Sequence, residues 1–377
     1  MSESSSPTSE STSDDERFMR IALEEARHGE GRVEPNPMVG CVLVRDGEVI
    51  GRGHHTRFGQ PHAEVEAIRS LGSAADAQGT TAYVTLEPCC HHGKTPPCSK
   101  ALIDAGVARV VVAQQDPFPQ VDGGGLQQLT AAGIDVVTGV LADEASDLLA
   151  PYLKTVHQKR PWVIAKWAMT VDGRIATVTG ESQWITGEGA RAEVHKLRGR
   201  VDAIAVGMGT VEADDPLLTA RPTGDRQATR IVFCSHRLPG AESKLIQTAS
   251  ETPVLLVVFS TMDESAVKPL ADLGANVFRC PGDDRAEMVD AVLDHLGELG
   301  MTNVMLEGGG ELLGSFSEAD QLDECHVYVG AKLFGGASAP GPIAGAGIAK
   351  VADANSLRLH SINRFDDDLR LVYRRAQ

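Results

Sequence analysis

This sequence of 377 residues has few aromatic side chains and no surplus of positive charge. Aromatic residues make up 4% of the chain, and 35 Lys and Arg stand against 52 Asp and Glu, for a formal net charge of −17 at pH 7. Proteins that bind nucleic acid broadly need basic side chains against the phosphates and often aromatic rings against the bases. The composition therefore argues against nucleic acid as a partner and favours small-molecule substrates.

Long apolar runs and a regular cysteine framework are also missing. No apolar stretch approaches the roughly 20 residues of a membrane-spanning helix, so no membrane association is expected. The chain has seven cysteines, three of them crowded between residues 89 and 98, unlike the spacing of small disulfide-rich secreted proteins. Residues 1–14 have neither a basic start nor an apolar core, so they are expected to be a disordered tail rather than a targeting segment. These features together predict a cytoplasmic protein.

Helical and strand patterns alternate after the tail. A helical pattern comes first, and two β-rich runs on either side of Asp46-Gly47 then predict a hairpin, because that dipeptide favours a tight turn. Strands and helices continue to alternate as far as about residue 140. The alternation predicts an α/β domain over residues 15–150.

A second domain is predicted after a change of pattern near residue 150. A helix-like segment is interrupted by Pro151 and closed by Pro161, and a new strand pattern begins directly afterwards. Short Val- and Ile-rich runs separated by helical patterns then follow, from WVIAKWAMTV to NVMLEGGG. We therefore predict a second α/β domain over residues 160–377.

Potential metal ligands are crowded into one stretch of the first domain. The segment EPCCHHGKTPPC, Glu87 to Cys98, has three cysteines and two histidines, more than one site can use. Upstream, His62 and Glu64 stand at the start of a predicted helix. The pattern H-x-E followed by P-C-x-x-C is typical of zinc deaminases, in which the Glu is the general acid and base. Here the second cysteine is delayed to Cys98.

The segments HAE and TLEPCCHHGKTPPC resemble the deaminase half of the bifunctional riboflavin-biosynthesis deaminase/reductase family, whose pattern is E-P-C-x-H-x-G-[KR]-T-P-P-C. The resemblance implies a cytidine-deaminase-like domain that binds Zn²⁺, with Glu64 transferring protons. The implied zinc ligands are His62, Cys89 and Cys98. The implied substrate contacts in this half are Asn36, Lys94 and Asp116. The sequence departs from the family at Phe118, where Asn is usual.

The chemistry of these residue types is compatible with that assignment. Zinc lowers the pKa of bound water, and a carboxylate beside it can move the protons. Cys98 begins a predicted helix, whose amide groups favour a thiolate. The alternatives are a structural zinc site, with Cys90 or His92 as fourth ligand, and a tRNA- or DNA-editing deaminase. The structural site would have no use for Glu64, and the editing enzyme would need a basic or aromatic surface.

Two glycine clusters end predicted strands of the second domain. AIAVGMGTVEADD nearly matches a dinucleotide-binding motif, but Glu212 occupies the place of the third glycine. VMLEGGGELLGSF puts three glycines between a strand and a helix, where backbone amides can approach a phosphate. A tight turn is the simpler interpretation of either cluster taken alone.

Four further segments resemble the reductase domain of the same family: KWAMTVDGRIA, GESQWIT, HKLRGRVDAIAVGMGTVEADDPLLTAR and LEGGGELLGSF. They imply a dihydrofolate-reductase-like domain that uses NADPH. The residues implied near the cofactor are Ala168, Trp184, Thr210, Asp214, Gly309, Gly310, Glu311, Leu312, Leu313, Gly314 and Ser315. The residues implied near the substrate are Ser182, Arg198, Leu218, Arg221 and Glu307. Cys234-Ser235 departs from the usual Asp-Ser.

The resemblance leads to a specific functional hypothesis. The chain is expected to deaminate 2,5-diamino-6-(5-phosphoribosylamino)pyrimidin-4-one, and then to reduce the ribosyl group of 5-amino-6-(5-phosphoribosylamino)uracil to ribityl. Arg198 and Arg221 are fork-shaped donors suited to the ribose 5-phosphate. Lys166 and Asp214 are titratable groups suited to ring opening and protonation. The substrates are thus small pyrimidine ribosyl phosphates, and the protein is expected to be a homo-oligomer.

Overall fold

The computed structural model describes residues 9–92 and 96–376, with the side chains of residues 9–12 left out. The chain divides into two compact units, Met1–Gln158 and Lys159–Gln377. Within the described residues, no helix combines the length and the apolar composition needed to cross a bilayer.

The first unit is built on a sheet of five strands. These strands are β1 (Gly40–Arg45), β2 (Glu48–His54), β3 (Thr81–Val84), β4 (Arg109–Val112) and β5 (Asp135–Thr138). The helices are α1 (Ser9–Arg27), α2 (Ala63–Arg69), α3 (Cys98–Asp104), α4 (Gly124–Ala131) and α5 (Ala142–Gln158). The strand order is β2-β1-β3-β4-β5, with β1 antiparallel to both neighbours and the last three strands parallel.

The hairpin β1–β2 confirms the turn predicted at Asp46-Gly47. Both residues have positive φ, 51° and 78°, as a tight hairpin turn requires. Side chains of β1 alternate between two cores: Cys41 and Leu43 pack in one cluster, and Val42 in the other. Helices thus cover both faces of the sheet, the arrangement that an α/β alternation predicts.

A close approach between β2 and α2 sets the position of the residues around α2. A Cβ atom at Gly53 would lie 2.3 Å from the backbone nitrogen of Ala67 and 2.4 Å from the carbonyl oxygen of Ala63. Any larger residue at Gly53 would therefore push α2 away from the sheet. His62 directly precedes this helix and Glu64 lies in its first turn, so the contact also sets where the backbone of both residues lies.

Two boundaries of the first unit differ from the sequence prediction. Helix α1 begins at Ser9, so residues 9–14 are helical rather than part of a tail. Pro151 lies inside α5 and does not interrupt it. Proline removes one backbone donor, but buried Leu149 and Ala150 hold the helix on the core. The unit consequently extends to Gln158 instead of ending at residue 150.

The second unit contains a sheet of nine strands. These are β6 (Trp162–Thr170), β7 (Ala203–Gly207), β8 (Thr229–Ser235), β9 (Val254–Phe259), β10 (Asn276–Cys280), β11 (Asn303–Glu307), β12 (Glu324–Gly330), β13 (Leu357–Phe365) and β14 (Asp368–Arg375). The helices are α6 (Glu188–Arg198), α7 (Met208–Asp214), α8 (Lys244–Gln247), α9 (Glu264–Asp272), α10 (Arg285–Glu298) and α11 (Gly310–Glu318).

The strand order in this sheet is β10-β9-β8-β7-β11-β6-β12-β14-β13. All pairs from β10 to β12 are parallel, and β14 joins its two neighbours antiparallel. Strand β6 lies between β11 and β12, and its register places Lys166 opposite Glu307 on one side and His326 on the other. The order of the strands thereby brings together charged residues that are more than a hundred positions apart in sequence.

Candidate functional sites

Three side chains of the first unit form a candidate zinc site. The ligand atoms of His62, Cys89 and Cys98 all lie within 4.8 Å of one another. His62 Nδ1 is 3.3 Å from Cys98 Sγ and 3.6 Å from Cys89 Sγ. One imidazole and two thiols form a common ligand set for a catalytic zinc ion, which keeps its fourth position for water. The residues present therefore fit zinc.

The pKa values of the two thiols also favour the binding of a cation, because one of them is already a thiolate at neutral pH. The first amide of α3, Cys98 N–H, donates to Cys89 Sγ over 3.4 Å. This bond supports Cys89, whereas the sequence prediction assigned the helix effect to Cys98. The bond with the Cys98 thiol, and then that with His62, lowers the pKa of Cys89 to about 4. Hydrogen bonding to Cys89, and then burial, raises the pKa of Cys98, so this thiol keeps its proton until a cation displaces it.

Glu64 is available beside these ligands as a proton acceptor. The residue is only 2% exposed, and its Oε2 atom has no hydrogen-bond partner among the described residues. Burial and the neighbouring Cys89 raise the pKa of Glu64. A carboxylate in such a setting can take a proton and return it, which is the chemistry of a general base that later acts as an acid.

The neighbouring Cys90 is directed elsewhere. Its Sγ atom donates to the carbonyl oxygen of Gln120 over 3.5 Å. His92 is exposed on the same loop. Over the described parts of the chain, the ligand cluster around His62 contains three side chains and neither of these two. The arrangement favours a three-ligand site over the four-ligand structural alternative.

Glu87 is a site residue that sequence reasoning missed. Its buried carboxylate accepts the N–H groups of Gly125 (2.9 Å) and Leu126 (3.3 Å) at the start of α4, and that of Asp116 (3.3 Å). A Cβ atom on Gly125 would lie 1.9 Å from the carbonyl oxygen of Pro88, so only glycine fits there. Glu87 therefore ties the loop that carries Cys89 to α4. The available sequence signal was a Glu directly before Pro88-Cys89.

Asn36, predicted to bind substrate, is held by a buried histidine that the sequence did not single out. Asn36 Nδ2 lies 3.2 Å from His55 Nε2, and His55 Nδ1 lies 3.1 Å from the carbonyl oxygen of Pro61. Burial lowers the pKa of His55, so a neutral ring donates from Nδ1 to Pro61 and accepts from Asn36. The ring of His55 also contacts that of His62 edge-on, with centroids 5.1 Å apart. Asn36 thus lies in the neighbourhood of the zinc ligands.

Asp116 and Lys94 are the other two predicted substrate contacts in this unit. Asp116 is buried, and its Oδ1 atom accepts the Tyr152 hydroxyl at 2.8 Å and the Phe118 amide at 2.9 Å. Burial raises the pKa of this carboxyl. Lys94 lies outside the described residues.

In the second unit, Lys166, Arg198 and Glu307 form a buried cluster of charges. Arg198 donates to Glu307 through Nε (2.8 Å, to Oε2) and Nη2 (2.6 Å, to Oε1). Lys166 Nζ is 3.6 Å from Glu307 Oε1 and lies over the Tyr328 ring, 5.7 Å from its centroid. The guanidinium of Arg198, predicted to hold substrate phosphate, is thus engaged with a carboxylate.

Protonation in this cluster follows from burial and charge. Burial acts to raise the pKa of Glu307, but Arg198 and Lys166 outweigh it and lower that pKa to about 2. Glu307 is therefore an anion at neutral pH. Burial lowers the pKa of Lys166, against the attraction of Glu307. Lys166 is the member of the cluster whose proton is held less tightly than in water.

Arg221 is exposed and lies near a second basic group. Burial is the main cause that lowers the pKa of His195, and the positive charges of Arg198 and Arg221 lower it further. The side chains of His195, Arg198 and Arg221 therefore lie close to one another. An exposed arginine beside other basic groups is suited to a phosphate. The predicted contact Leu218 instead has its side chain buried in the core.

The remaining residues predicted to contact substrate or cofactor in this unit are Ala168 on β6 and, after that strand, Ser182, Trp184 and Asp214. Asp214 is the last residue of α7, where it is exposed and accepts a hydrogen bond from Gln183 Nε2 at 2.9 Å. The exposed ring of Trp184 lies under Arg191, 4.6 Å from its guanidinium carbon. Ser182 and Ala168 are both half-buried.

A cavity in the second unit collects most of the predicted cofactor residues. Its lining includes glycines from two loops, at residues 207–209 and 309–310, and the side chains of His236, Arg237 and Arg285. The predicted residues in its lining are Thr210, Gly309, Gly310, Glu311, Leu312 and Ser315. Leu313 and Gly314 belong to the same helix but are buried.

The glycine loop before α11 brings backbone close to this cavity. Gly308 and Gly309 have φ of 103° and 77°, a region that L residues with side chains rarely adopt. A Cβ atom on Gly308 would lie 3.1 Å from Thr210 Oγ1. The loop leads directly into α11, whose first amide groups can bind a phosphate. These features fit a phosphorylated dinucleotide.

Comparisons with known proteins cover most of the chain. Residues 161–371 match the RibD C-terminal domain, and residues 12–114 match the cytidine and deoxycytidylate deaminase zinc-binding region. The riboflavin biosynthesis protein RibD of Actinobacillus pleuropneumoniae is 41% identical over 356 residues, which cover 94% of each chain.

Solved structures agree with this result. RibD of Acinetobacter baumannii aligns with a TM-score of 0.81 at 36% identity, over 97% of this chain and 100% of that one. A diaminohydroxyphosphoribosylaminopyrimidine deaminase/5-amino-6-(5-phosphoribosylamino)uracil reductase of Thermotoga maritima gives 0.81 at 34% identity, over 97% and 100%. The predicted α/β class, with a cytidine-deaminase-like domain before a reductase domain, is confirmed. The chain belongs to the RibD family, the bifunctional zinc deaminases and NADPH-dependent reductases of riboflavin biosynthesis.

Proposed function

We propose that the first unit deaminates a diaminopyrimidine ribosyl phosphate at the site of His62, Cys89 and Cys98, and that the second unit reduces the resulting aminouracil at the site of Lys166. The substrates proposed are those in the name of the Thermotoga maritima protein. The observation that carries the proposal is the convergence of one imidazole and two thiols beside Glu64. Glu64 is a buried carboxylate whose Oε2 atom has no hydrogen-bond partner in the part of the chain that the structure describes.

In the deamination, the protein moves protons. His62, Cys89 and Cys98 would hold a zinc ion, which would supply a Lewis acid that lowers the pKa of a water molecule. Glu64 accepts a proton from the attacking water and delivers it to the departing amino group as ammonia leaves. The raised pKa of Glu64 suits both transfers. A more basic carboxylate accepts the proton of the water more readily, and the resulting acid can still donate a proton to the more basic amino group as it leaves. Asn36, held by His55, orients the pyrimidine.

In the reduction, Lys166 is proposed to move the proton. NADPH bound in the cavity of Thr210, Gly309 and Gly310 would supply the hydride for the ribosyl carbon. Lys166 assists the opening of the sugar ring, because burial eases the loss of its proton. Glu307, which Arg198 holds in place, stays ionised and attracts the ammonium group of Lys166. Arg221 receives the 5-phosphate, and Asp214 remains a predicted catalytic residue.

The bounds of the two domains, the cellular location and the oligomeric state are also proposals. We assign the deaminase to the unit that ends at Gln158 and the reductase to the unit that begins at Lys159. Cytoplasmic location and a homo-oligomeric state stay predictions.

Replacement of the cysteines tests the ligand set. Cys89→Ser and Cys98→Ser should each lose the zinc ion held with His62, about one ion per chain, and abolish ammonia release, because a neutral hydroxyl replaces a thiolate ligand. The adjacent Cys90→Ser is the matched control, since Cys90 contacts the Gln120 carbonyl instead. Metal analysis by mass spectrometry with an ammonia assay measures both effects. Zinc loss in Cys90→Ser equal to that in Cys89→Ser would reject the three-ligand site.

A second substitution tests the cofactor cavity. Arg285 and Arg237 line it, and each pairs with a carboxylate, Arg285 with Glu311 at 3.2 Å. We propose that they recognise the 2′-phosphate that distinguishes NADPH from NADH. Arg285→Ala should raise KM for NADPH about tenfold or more, as expected for one lost contact to a charged group, and leave KM for NADH unchanged. Arg364→Ala, at an exposed ion pair on β13, is the control. Equal changes for both cofactors would refute the assignment.

A further inference from the structure

A second group of metal-ligating side chains lies in the first unit, outside the site of His62, Cys89 and Cys98. Glu25 lies in the last turn of α1, His28 directly follows the last residue of that helix, and His54 is the last residue of β2. The ligand atoms of all three lie within 4.8 Å of one another. Two imidazoles and one carboxylate are a ligand set that zinc uses in proteins.

The distances within this cluster suit a shared cation better than direct hydrogen bonds. Glu25 Oε2 is 3.5 Å from His28 Nδ1 and 3.7 Å from His54 Nδ1. An N–H···O hydrogen bond is typically ~2.7–3.2 Å long. Two ligands on a tetrahedral zinc ion, each bonded at ~2.0–2.1 Å, are about 3.4 Å apart. The two imidazoles therefore approach one carboxylate oxygen at nearly the separation that a common metal ion imposes.

The other carboxylate oxygen is already engaged. Glu25 Oε1 lies 3.3 Å from Arg52 Nη1, which leaves Oε2 to face the two histidines. The His28 and His54 rings are tilted by 56° with centroids 5.2 Å apart, so they do not stack face to face. Side-chain exposure rises from 14% at Glu25 through 26% at His54 to 64% at His28. The cluster is thus open to solvent on the His28 side, where a cation can enter and keep water ligands.

We propose that Glu25, His28 and His54 bind a divalent transition-metal cation, with Zn²⁺ as the expected ion. Nitrogen and oxygen ligands of this kind bind zinc well and calcium or magnesium poorly. The bound ion would join the C-terminal end of α1 to the end of β2. His54 directly precedes His55, and a Cβ atom at Gly29 would lie 2.7 Å from the His55 carbonyl oxygen. The bound ion would therefore hold the end of α1 against the end of β2, next to His55, which holds Asn36.

Zinc titration of the full-length protein tests this site. Chain already carrying one equivalent of zinc is titrated with further zinc against a chromophoric chelator, and thermal unfolding is followed with and without the added ion. The parent chain should take a second equivalent and unfold at a higher temperature when it is bound. His28→Ala and His54→Gln should each take only the first equivalent and lose the shift in unfolding temperature. His157→Ala, an exposed histidine on α5, should behave like the parent.

Cobalt distinguishes the two sites directly. The first equivalent of Co²⁺ added to metal-free protein should give the strong near-ultraviolet absorption of thiolate-to-cobalt charge transfer, because its ligands include Cys89 and Cys98. The second equivalent should add only weak visible bands, because its ligands are nitrogen and oxygen. Binding of a single zinc equivalent by the parent chain, or retention of the second by His28→Ala or His54→Gln, would overturn the proposal. Loss of the second zinc equivalent in His157→Ala would overturn it as well.

Discussion

Glu64→Gln should lower the rate of ammonia release by about 10²–10⁴-fold, the contribution typical of one general acid–base group, while zinc stays bound. Glutamine has nearly the same size and shape, so the buried position remains filled, but an amide cannot accept and return the proton. The three zinc ligands are unaltered. Ammonia release from the diaminopyrimidine substrate, measured beside zinc content, separates loss of proton transfer from loss of metal.

The matched control lies two positions along the same helix. Glu66 belongs to α2 as well, but its side chain is 29% exposed and pairs with Arg69 at 3.0 Å. Glu66→Gln should leave ammonia release within about twofold of the parent, because an exposed ion pair on a helix contributes little. Near-normal deamination by zinc-loaded Glu64→Gln would remove Glu64 from the mechanism.

Lys166→Met should reduce turnover in the second reaction by a comparable factor, about 10²–10⁴-fold. Methionine fills the space of the lysine stem but carries no proton. The unit should still fold, because Glu307 keeps both of its hydrogen bonds to Arg198. NADPH oxidation with the deaminated aminouracil substrate measures the effect. Lys268→Met, on the exposed surface of α9, is the control.

Lys166→Arg separates the two roles that a lysine can have. A guanidinium keeps the positive charge beside Glu307 but does not give up a proton near neutral pH. Low turnover in Lys166→Arg supports proton transfer by Lys166. Turnover close to the parent value would mean that Lys166 contributes only charge, and our assignment would be wrong.

Local signals in the sequence were sufficient for much of the fold. The turn at Asp46-Gly47 and the strand before the glycine cluster at Gly308 both form where the patterns predict them. Each depends on residues within a few positions of one another. Strand β13 was not predicted, because most of its side chains are exposed and leave little alternation of apolar and polar residues to detect.

Tertiary context decided what the local patterns could not. Pro151 normally ends a helix, yet α5 passes through it because the apolar side of that helix is buried on the core. Serine-rich residues 9–14 read as a tail, but they lead into Asp15, which is fixed by two hydrogen bonds of 2.8 Å from Arg109 and one from Tyr83. Neither partner is visible from the residues around Asp15.

In the candidate sites too, residues in local motifs were predicted from the sequence, and residues that act through distant partners were not. His62, Cys89 and Cys98 stand in motifs, and the structure brings them together. Glu87 and His55 act through partners on other elements, and nothing in their immediate sequence indicates those contacts. Arg198 is predicted to bind the substrate because a guanidinium suits a phosphate. Its pairing with Glu307 depends on long-range folding and could not be predicted from the sequence.

The most direct test of two independent active sites is one assay with crossed variants. Glu64→Gln and Lys166→Met are each supplied with the diaminopyrimidine substrate and with its deaminated product, and both ammonia and NADPH are followed. Glu64→Gln should release almost no ammonia but oxidise NADPH at close to the parent rate on the deaminated substrate, and Lys166→Met should show the reverse. Loss of NADPH oxidation by folded, zinc-loaded Glu64→Gln on the deaminated substrate would contradict the account.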